Sequence, residues 1–231
     1  MPGIGYYDTL NVPKDSVRIA YIPLLKGQNN FYDSVDNKGI YIKSDFPISI
    51  SAMNLSAATT DASIVLPLAN IPFAATYVVG NPNPSLNQVL LIATSDSTKI
   101  SVSGVNSITK NTLRPKTGTY NIKLNKGQSY MLGSANNLSG SVIKVTSNSK
   151  VVVFSGDRCS NWPCGACDHQ YEQVLPNDVL DTAYTIPPHF GHTNGYLLKF
   201  IPLDTATTLK INGKTYANVS RKNPLIINVK G

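Results

Sequence analysis

Pro47-Ile48-Ser49-Ile50-Ser51-Ala52 sets Ile48, Ile50 and Ala52 against Ser49 and Ser51. Side chains that alternate in this way lie on opposite faces of a strand with a period of two, one face apolar and one polar. Lys150-Val151-Val152-Val153-Phe154-Ser155 takes a similar course in the second half of the chain. Outward from these two stretches the same texture continues, with short β-rich runs punctuated by Gly, Asn, Pro and Asp.

Strands are expected at Val17–Ile22, Gly39–Lys43, Pro47–Met53, Ala62–Leu66, Thr76–Val79, Val89–Thr94, Lys99–Ser103 and Thr119–Leu124. Further strands are expected at Ser129–Leu132, Ser141–Val145, Lys150–Ser155, Tyr171–Val174, Ala183–Ile186, Tyr196–Ile201, Thr208–Ile211 and Leu225–Val229. No window carries a convincing 3.6-residue period, so helix should be scarce.

The runs repeat in order. Gly39-Ile40-Tyr41-Ile42-Lys43 is echoed by Gly140-Ser141-Val142-Ile143-Lys144, and Pro47–Ala52 by Lys150–Ser155. Ile64-Val65-Leu66-Pro67 matches Gln173-Val174-Leu175-Pro176, and Tyr77-Val78-Val79 matches Tyr184-Thr185-Ile186. Leu90-Leu91 pairs with Leu197-Leu198, and Ile100–Gly104 with Leu209–Gly213, at spacings of roughly 101–109 residues. Asn125-Lys126-Gly127 and Val229-Lys230-Gly231 would close the two halves alike. The expected fold is therefore all-β: two tandem, internally repeated antiparallel β-sandwich-like units packed as one body. The expected bounds are an arm over 1–16, a first repeat over 17–127 and a second over 128–231.

Of the 231 residues, 42% are apolar and only 14% charged, against about 25% charged in an ordinary soluble domain. The surplus of Ser, Thr and Asn suits the exposed faces of sheets. The net charge of +7 is spread over single lysines with no run of four. It reads as a solvated surface that keeps strand edges apart, with no nucleic-acid partner. The apolar runs are far shorter than the ~20 residues of a membrane span, so no membrane insertion is expected. Met1-Pro2-Gly3 opens no signal peptide and reads as an expression start on a fragment of a longer chain whose natural signal has been cut away.

Chemistry concentrates in one insertion, 156–169, which holds all three cysteines, Trp162 and His169. Cys159-x4-Cys164-x2-Cys167-x-His169 offers four zinc ligands, but structural zinc draws its ligand pairs from separated elements. A disulfide between Cys159 and Cys167, which bracket the loop, is the favoured reading. It would stabilise by about 2–3 kcal/mol on the chain-entropy model and leave Cys164 as the odd thiol. Three reduced cysteines remain the bland alternative. A catalytic cysteine beside His169 would need a base and oxyanion donors that loop neighbours rarely supply. No nucleophile elbow, phosphate loop or zinc-protease motif occurs. No enzyme activity, metal or other cofactor is expected.

Asp168, His169, Glu172 and Gln173 lead into a strand and are expected to hold the loop backbone by hydrogen bonds. Trp162-Pro163 at the loop tip is the candidate ligand contact, because one ring buries much area with few torsions to freeze. The competing reading folds Trp162 back onto the sandwich. His189 and His192 read as surface residues. The Asn-x-Ser triplets at Asn54, Asn137 and Asn218 decide nothing about secretion in a chain so rich in these residues.

Two stretches carry a family resemblance. One is Lys43–Asn54 followed by Asp61–Pro67; the other runs from Lys150–Gly156 through Cys159, Pro163, Cys167-Asp168-His169 and Glu172-Gln173 to Leu175-Pro176. On these the chain resembles the N-terminal domain family of IgGFc-binding proteins, shared by animal mucus proteins and bacterial surface proteins. The resemblance implies an extracellular, non-enzymatic role in adhesion, mucus or surface layers, and the leading reading of the chain is a recognition or adhesion module for a glycan, mucin or protein ligand. Cys159 and Cys167 match the family's cysteine pair, and Cys164 departs from its pattern. The alternative is a structural spacer in a larger surface or fibre protein; an enzyme using the Cys/His loop ranks third.

Overall fold

The computed structural model describes residues 1–29, 31–55, 59–81, 86–104, 118–134, 137–160, 166–186, 196–203 and 207–229. Among these the chain is all-β. The strands are β1 (Val35–Asp36), β2 (Ser51–Leu55), β3 (Thr60–Ile64), β4 (Thr76–Val78), β5 (Asn87–Ala93), β6 (Thr98–Gly104), β7 (Gly118–Leu124) and β8 (Ser129–Ser134). They continue as β9 (Val142–Val145), β10 (Val151–Ser160), β11 (Asp168–Gln173), β12 (Tyr196–Phe200), β13 (Thr207–Ile211), β14 (Lys214–Val219) and β15 (Leu225–Val229).

Two antiparallel sheets enclose one core. The first has the order β1-β8-β5-β10-β11, and the second β4-β9-β6-β7. Period-two patterning builds it: positions 87, 89, 91 and 93 of β5 are buried while those between are half-exposed. On β7, Tyr120, Ile122 and Leu124 face inward. Leu91, Leu132, Val151 and Val153 from the first sheet meet Tyr77, Ile100, Val102, Ile143 and Val145 from the second. Each such side chain withdrawn from water contributes roughly 1.5–3 kcal/mol. A polar bond also joins the sheets inside this core, where the Tyr77 hydroxyl donates to the Val151 carbonyl at 2.6 Å.

The remaining strands form three two-stranded ribbons, β2-β3, β12-β15 and β13-β14. No helix among the described residues is long and apolar enough to cross a membrane.

The strand pairings join sequence from both sides of residue 127. β5 pairs with β8 and β10, β4 with β9, and β6 with β9. Both sheets are thus assembled from the two stretches expected as separate repeats. Of the closing triplets, Asn125-Lys126-Gly127 turns from β7 into β8, and Val229 ends β15 with Lys230 and Gly231 outside the described residues.

Three expected strands, Val17–Ile22, Gly39–Lys43 and Ala183–Ile186, are not strands, and Pro47–Met53 becomes one only from Ser51. Their alternation is real, but a strand exists by its pairing, and among the described residues no strand ladder runs along these stretches, although single bonds reach them from Gly39 N to the Gly127 carbonyl at 3.0 Å and from Val65 N to the Ile50 carbonyl at 2.9 Å. Val17, Ile19 and Tyr21 stand exposed as a result. β14, which was not expected, is the return arm of a hairpin at Asn212-Gly213, both at positive φ (47° and 83°). That is the type I′ dipeptide of two-residue hairpins.

Candidate functional site

β10 is long because it outruns the core. Its first half pairs with β5 from Val151 to Asp157, and its far end continues beside β11 to Ser160, opposite Asp168. The register shifts between Asp157 and Ser160. Cys159 and Cys167 are joined there by a disulfide, with Cα atoms 5.1 Å apart. The bond closes the cysteine loop at its base and leaves neither sulfur free as a nucleophile or a zinc ligand. The loop tip with Trp162, Pro163 and Cys164 lies outside the described residues, as do His189 and His192.

Below the disulfide the strand is anchored by buried polar groups. Asp157 is fully buried and accepts a bond from Asn87 Nδ2 at 2.6 Å. Asn87 Oδ1 in turn accepts the Leu138 amide at 2.6 Å. Asn81, also fully buried, donates from Nδ2 to the Gly156 carbonyl at 2.6 Å. Charges and amides buried without partners would each cost kcal/mol, so these bonds fix the end of β10 in place.

Among the described residues, Asp168, His169, Glu172 and Gln173 bond to the β2-β3 hairpin and the residues flanking it, while the loop backbone expected as their partner lies outside the described residues over 161–165. β11 is an edge strand, and its outward amides are capped by alternate side chains flanking and within β3. His169 N donates to Thr59 Oγ1 at 2.6 Å, Tyr171 N to Asp61 Oδ2 at 2.7 Å and Gln173 N to Ser63 Oγ at 3.2 Å. The reverse direction is also used. Ser63 Oγ donates to Glu172 Oε1 at 3.1 Å, Leu66 N to Gln173 Oε1 at 2.8 Å, and Thr59 Oγ1 to Asp168 Oδ1. Asn54 Nδ2 lies 3.0 Å from His169 Nε2, a bond that needs that ring nitrogen as acceptor. The Tyr171 hydroxyl donates to the Ala52 carbonyl at 2.6 Å, and its ring lies between Phe154 (5.7 Å) and His169 (5.8 Å).

This ladder does the work of a further sheet strand with side-chain oxygens in place of carbonyls. Thr59, Asp61, Ser63 and Tyr171 are the members that sequence reasoning missed. Their signal was the polar alternation at 59, 61 and 63, the same period as the amides at 169, 171 and 173.

Two adjoining clefts open beside the ladder, sharing Gly80 and Gln170. One of about 280 Å³ has Asp61, Asp168, His169 and Glu172 in its wall. The other, about 350 Å³, is bounded by Asn81, Leu197, Lys199 and Ile201. Lys199 Nζ donates to the Asn81 carbonyl at 2.6 Å and to Ser139 Oγ at 2.7 Å. Burial pulls the ammonium below its ordinary pKa, opposed by the charge of Asp157. Burial raises the Tyr171 hydroxyl, with the nearby carboxylates of Asp61 and Glu172 adding to it and a backbone hydrogen bond working against it. The carboxylates here are hydrogen-bonded across β3 and β11, so the arrangement clamps the β2-β3 hairpin against β11. No group of His, Cys, Asp and Glu among the described residues is placed to hold a metal.

The disulfide thus ties the end of β10 to the start of β11 at the edge of an all-β core. A family profile described as IgGFc binding protein matches residues 61–227, and the chain belongs to that family. It is 29% identical over 177 residues to the human IgGFc-binding protein, which covers 75% of this chain. The chain spans 3% of the length of that relative. No solved structure matches.

Proposed function

We propose that this chain is an extracellular, non-enzymatic recognition module that meets a protein partner through the loop closed by Cys159 and Cys167. The observation that carries the reading is the disulfide at the end of β10, set on a strand whose buried end is fixed by Asn81, Asn87 and Asp157. A disulfide that ties the two ends of a segment together lowers the conformational freedom that binding must remove, which favours affinity. A disulfide of this kind persists in oxidising compartments, in keeping with a secreted or surface location. The name of the human relative points to the Fc region of immunoglobulin G as one ligand to try.

The test is a binding screen of the chain against IgG Fc, mucin and a glycan array at two salt concentrations. Trp162-Pro163 is the proposed contact. If so, Trp162→Ala weakens the partner by more than about 1 kcal/mol, in the range of an interface anchor, with the melting temperature held. Loss of stability with binding intact would make Trp162 a packing residue. Failure to bind anything in the screen would favour a structural spacer.

A further inference from the structure

The structure assigns the open edge of β12 a partner: we propose that residues Pro47–Ala52 pair with it, closing a second sandwich within the same chain. Three registers carry the inference. In the β10-β11 pair, Phe154 stands opposite Gln173 and Ser155 opposite Glu172. In the β2-β3 pair, Ser51 stands opposite Ile64 and Ala52 opposite Ser63. The sequence matches of Pro47–Ala52 with Lys150–Ser155, and of Ile64–Pro67 with Gln173–Pro176, superpose these pairs residue for residue.

The other ribbons follow the same rule. β5 and β8 are antiparallel and enclose the β6-β7 pair in sequence; β12 and β15 are antiparallel and enclose the β13-β14 pair. Thus β12 stands where β5 stands, β15 where β8 stands, and β2-β3 where β10-β11 stand.

One pairing of the set is missing among the described residues. β10 lies between β11 and β5, but β2 pairs only with β3, and β12 only with β15. Two unpaired strand edges remain, each equivalent to one half of the β10-β5 contact. Exposed apolar side chains accompany both: Ile48 is 43% exposed, Leu197 37% and Ile226 49%. Open edges flanked by apolar residues invite a strand.

Transferring the β10-β5 register places Ile50 opposite Leu198 and Ser51 opposite Leu197, from Val153 opposite Leu91 and Phe154 opposite Leu90. The joint sheet would have the order β15-β12-β2-β3, the counterpart of β8-β5-β10-β11. The bonds of Thr59 with Asp168 and Ser63 with Glu172 already join equivalent residues of the two hairpins. A pseudo-two-fold relation therefore runs between β3 and β11. Only the β10-β11 hairpin carries the cysteine loop, so the closed molecule presents one such loop per chain.

The test is a cysteine pair, Ile50→Cys with Leu198→Cys, in a Cys164→Ser background, with Ser49→Cys and Leu198→Cys as the opposite-face control. Mild oxidation is expected to cross-link the first pair within the monomer and to leave the control reduced. Cross-linked dimers alone would overturn the proposal in favour of exchange between copies. An uncross-linked, folded monomer would overturn it outright. Hydrogen exchange on the unmodified chain guards against a variant that fails to fold. The β12 amides that point away from β15 are expected to exchange at least about 100-fold more slowly than free chain. Exchange at the free-chain rate would overturn the proposal as well.

Discussion

Asp61 Oδ2 accepts the amide of Tyr171 at 2.7 Å, two residues 110 apart in sequence. This one contact shows how the β2-β3 hairpin is held, since a carboxylate there supplies the acceptor that a neighbouring strand's carbonyl would supply in a sheet. A hydrogen bond to a charged group contributes about 1.5–3 kcal/mol. Asp61→Ala is expected to cost about 2 kcal/mol in chemical denaturation and to make the hairpin an early site of proteolysis. Asp61→Asn, which keeps an acceptor, should recover part of the loss. Equal behaviour of both variants would mean that the ladder does not hold the hairpin.

The disulfide has a separate signature. Reducing Cys159–Cys167 is expected to cost about 2–3 kcal/mol, the loop-closure entropy of a short loop. Cys159→Ala with Cys167→Ala should match the reduced wild type. Intact mass with and without reduction and alkylation reads out the bond, and denaturation under the same two conditions reads out its energy. The loss should leave the core untouched, because the buried cluster ends at Val153 on β10 and the staple lies beyond it.

What was legible in the sequence divides along physical lines. The core strands were legible because burial on one face writes a period of two into them, as on β5 and β7. Val17–Ile22 carries a similar pattern without a partner strand among the described residues, and alternation does not say whether a neighbouring edge exists. β14 was missed although Asn212-Gly213 announced its turn. The pairing of Cys159 with Cys167 followed from which cysteines bracket the loop. The partners of Asp168, His169, Glu172 and Gln173 did not follow, because their bonds reach residues 54–66 and local sequence holds no record of a contact at that distance.

Alkaline stability separates two buried groups of opposite sign. The Tyr77 hydroxyl is pushed above its ordinary 10.0, first by burial and then by the charge of Asp178. Above pH 10 the unfolded chain loses a proton that the folded one keeps, so stability is full below pH 10 and falls as pH rises further. Lys199 runs the other way. Its folded pKa is lowered, so between that value and 10.5 the unfolded chain holds the extra proton and stability rises with pH. Tyr77→Phe is expected to cost about 1 kcal/mol at pH 7, from the lost bond to the Val151 carbonyl, and to flatten the decline above pH 10. An unchanged alkaline slope in urea titrations at several pH values would rule Tyr77 out as its source.

Gly156 of β10 stands opposite Tyr171 of β11. A Cβ at this position would overlap the Gln170 carbonyl oxygen and lie 2.7 Å from the Tyr171 Cα, and both are backbone atoms with no rotamer to yield. Gly156→Ala must therefore push β11 outward. Such a shift would strain the Asn81 bond to the Gly156 carbonyl and move the amides that Thr59, Asp61 and Ser63 cap. Overpacking in an ordered site costs about 1–3 kcal/mol, and the loss of one or more capped amides adds to that, so a total of about 3 kcal/mol or more is expected. Gly213→Ala provides the contrast. Its φ of +83° disfavours a side chain, but nothing lies within 4 Å of the new Cβ, so the cost should be nearer 1 kcal/mol. Denaturation midpoints of the two variants, compared with wild type, check the order. If Gly156→Ala proved no worse than Gly213→Ala, the close approach of β10 and β11 would not be what fixes the base of the loop.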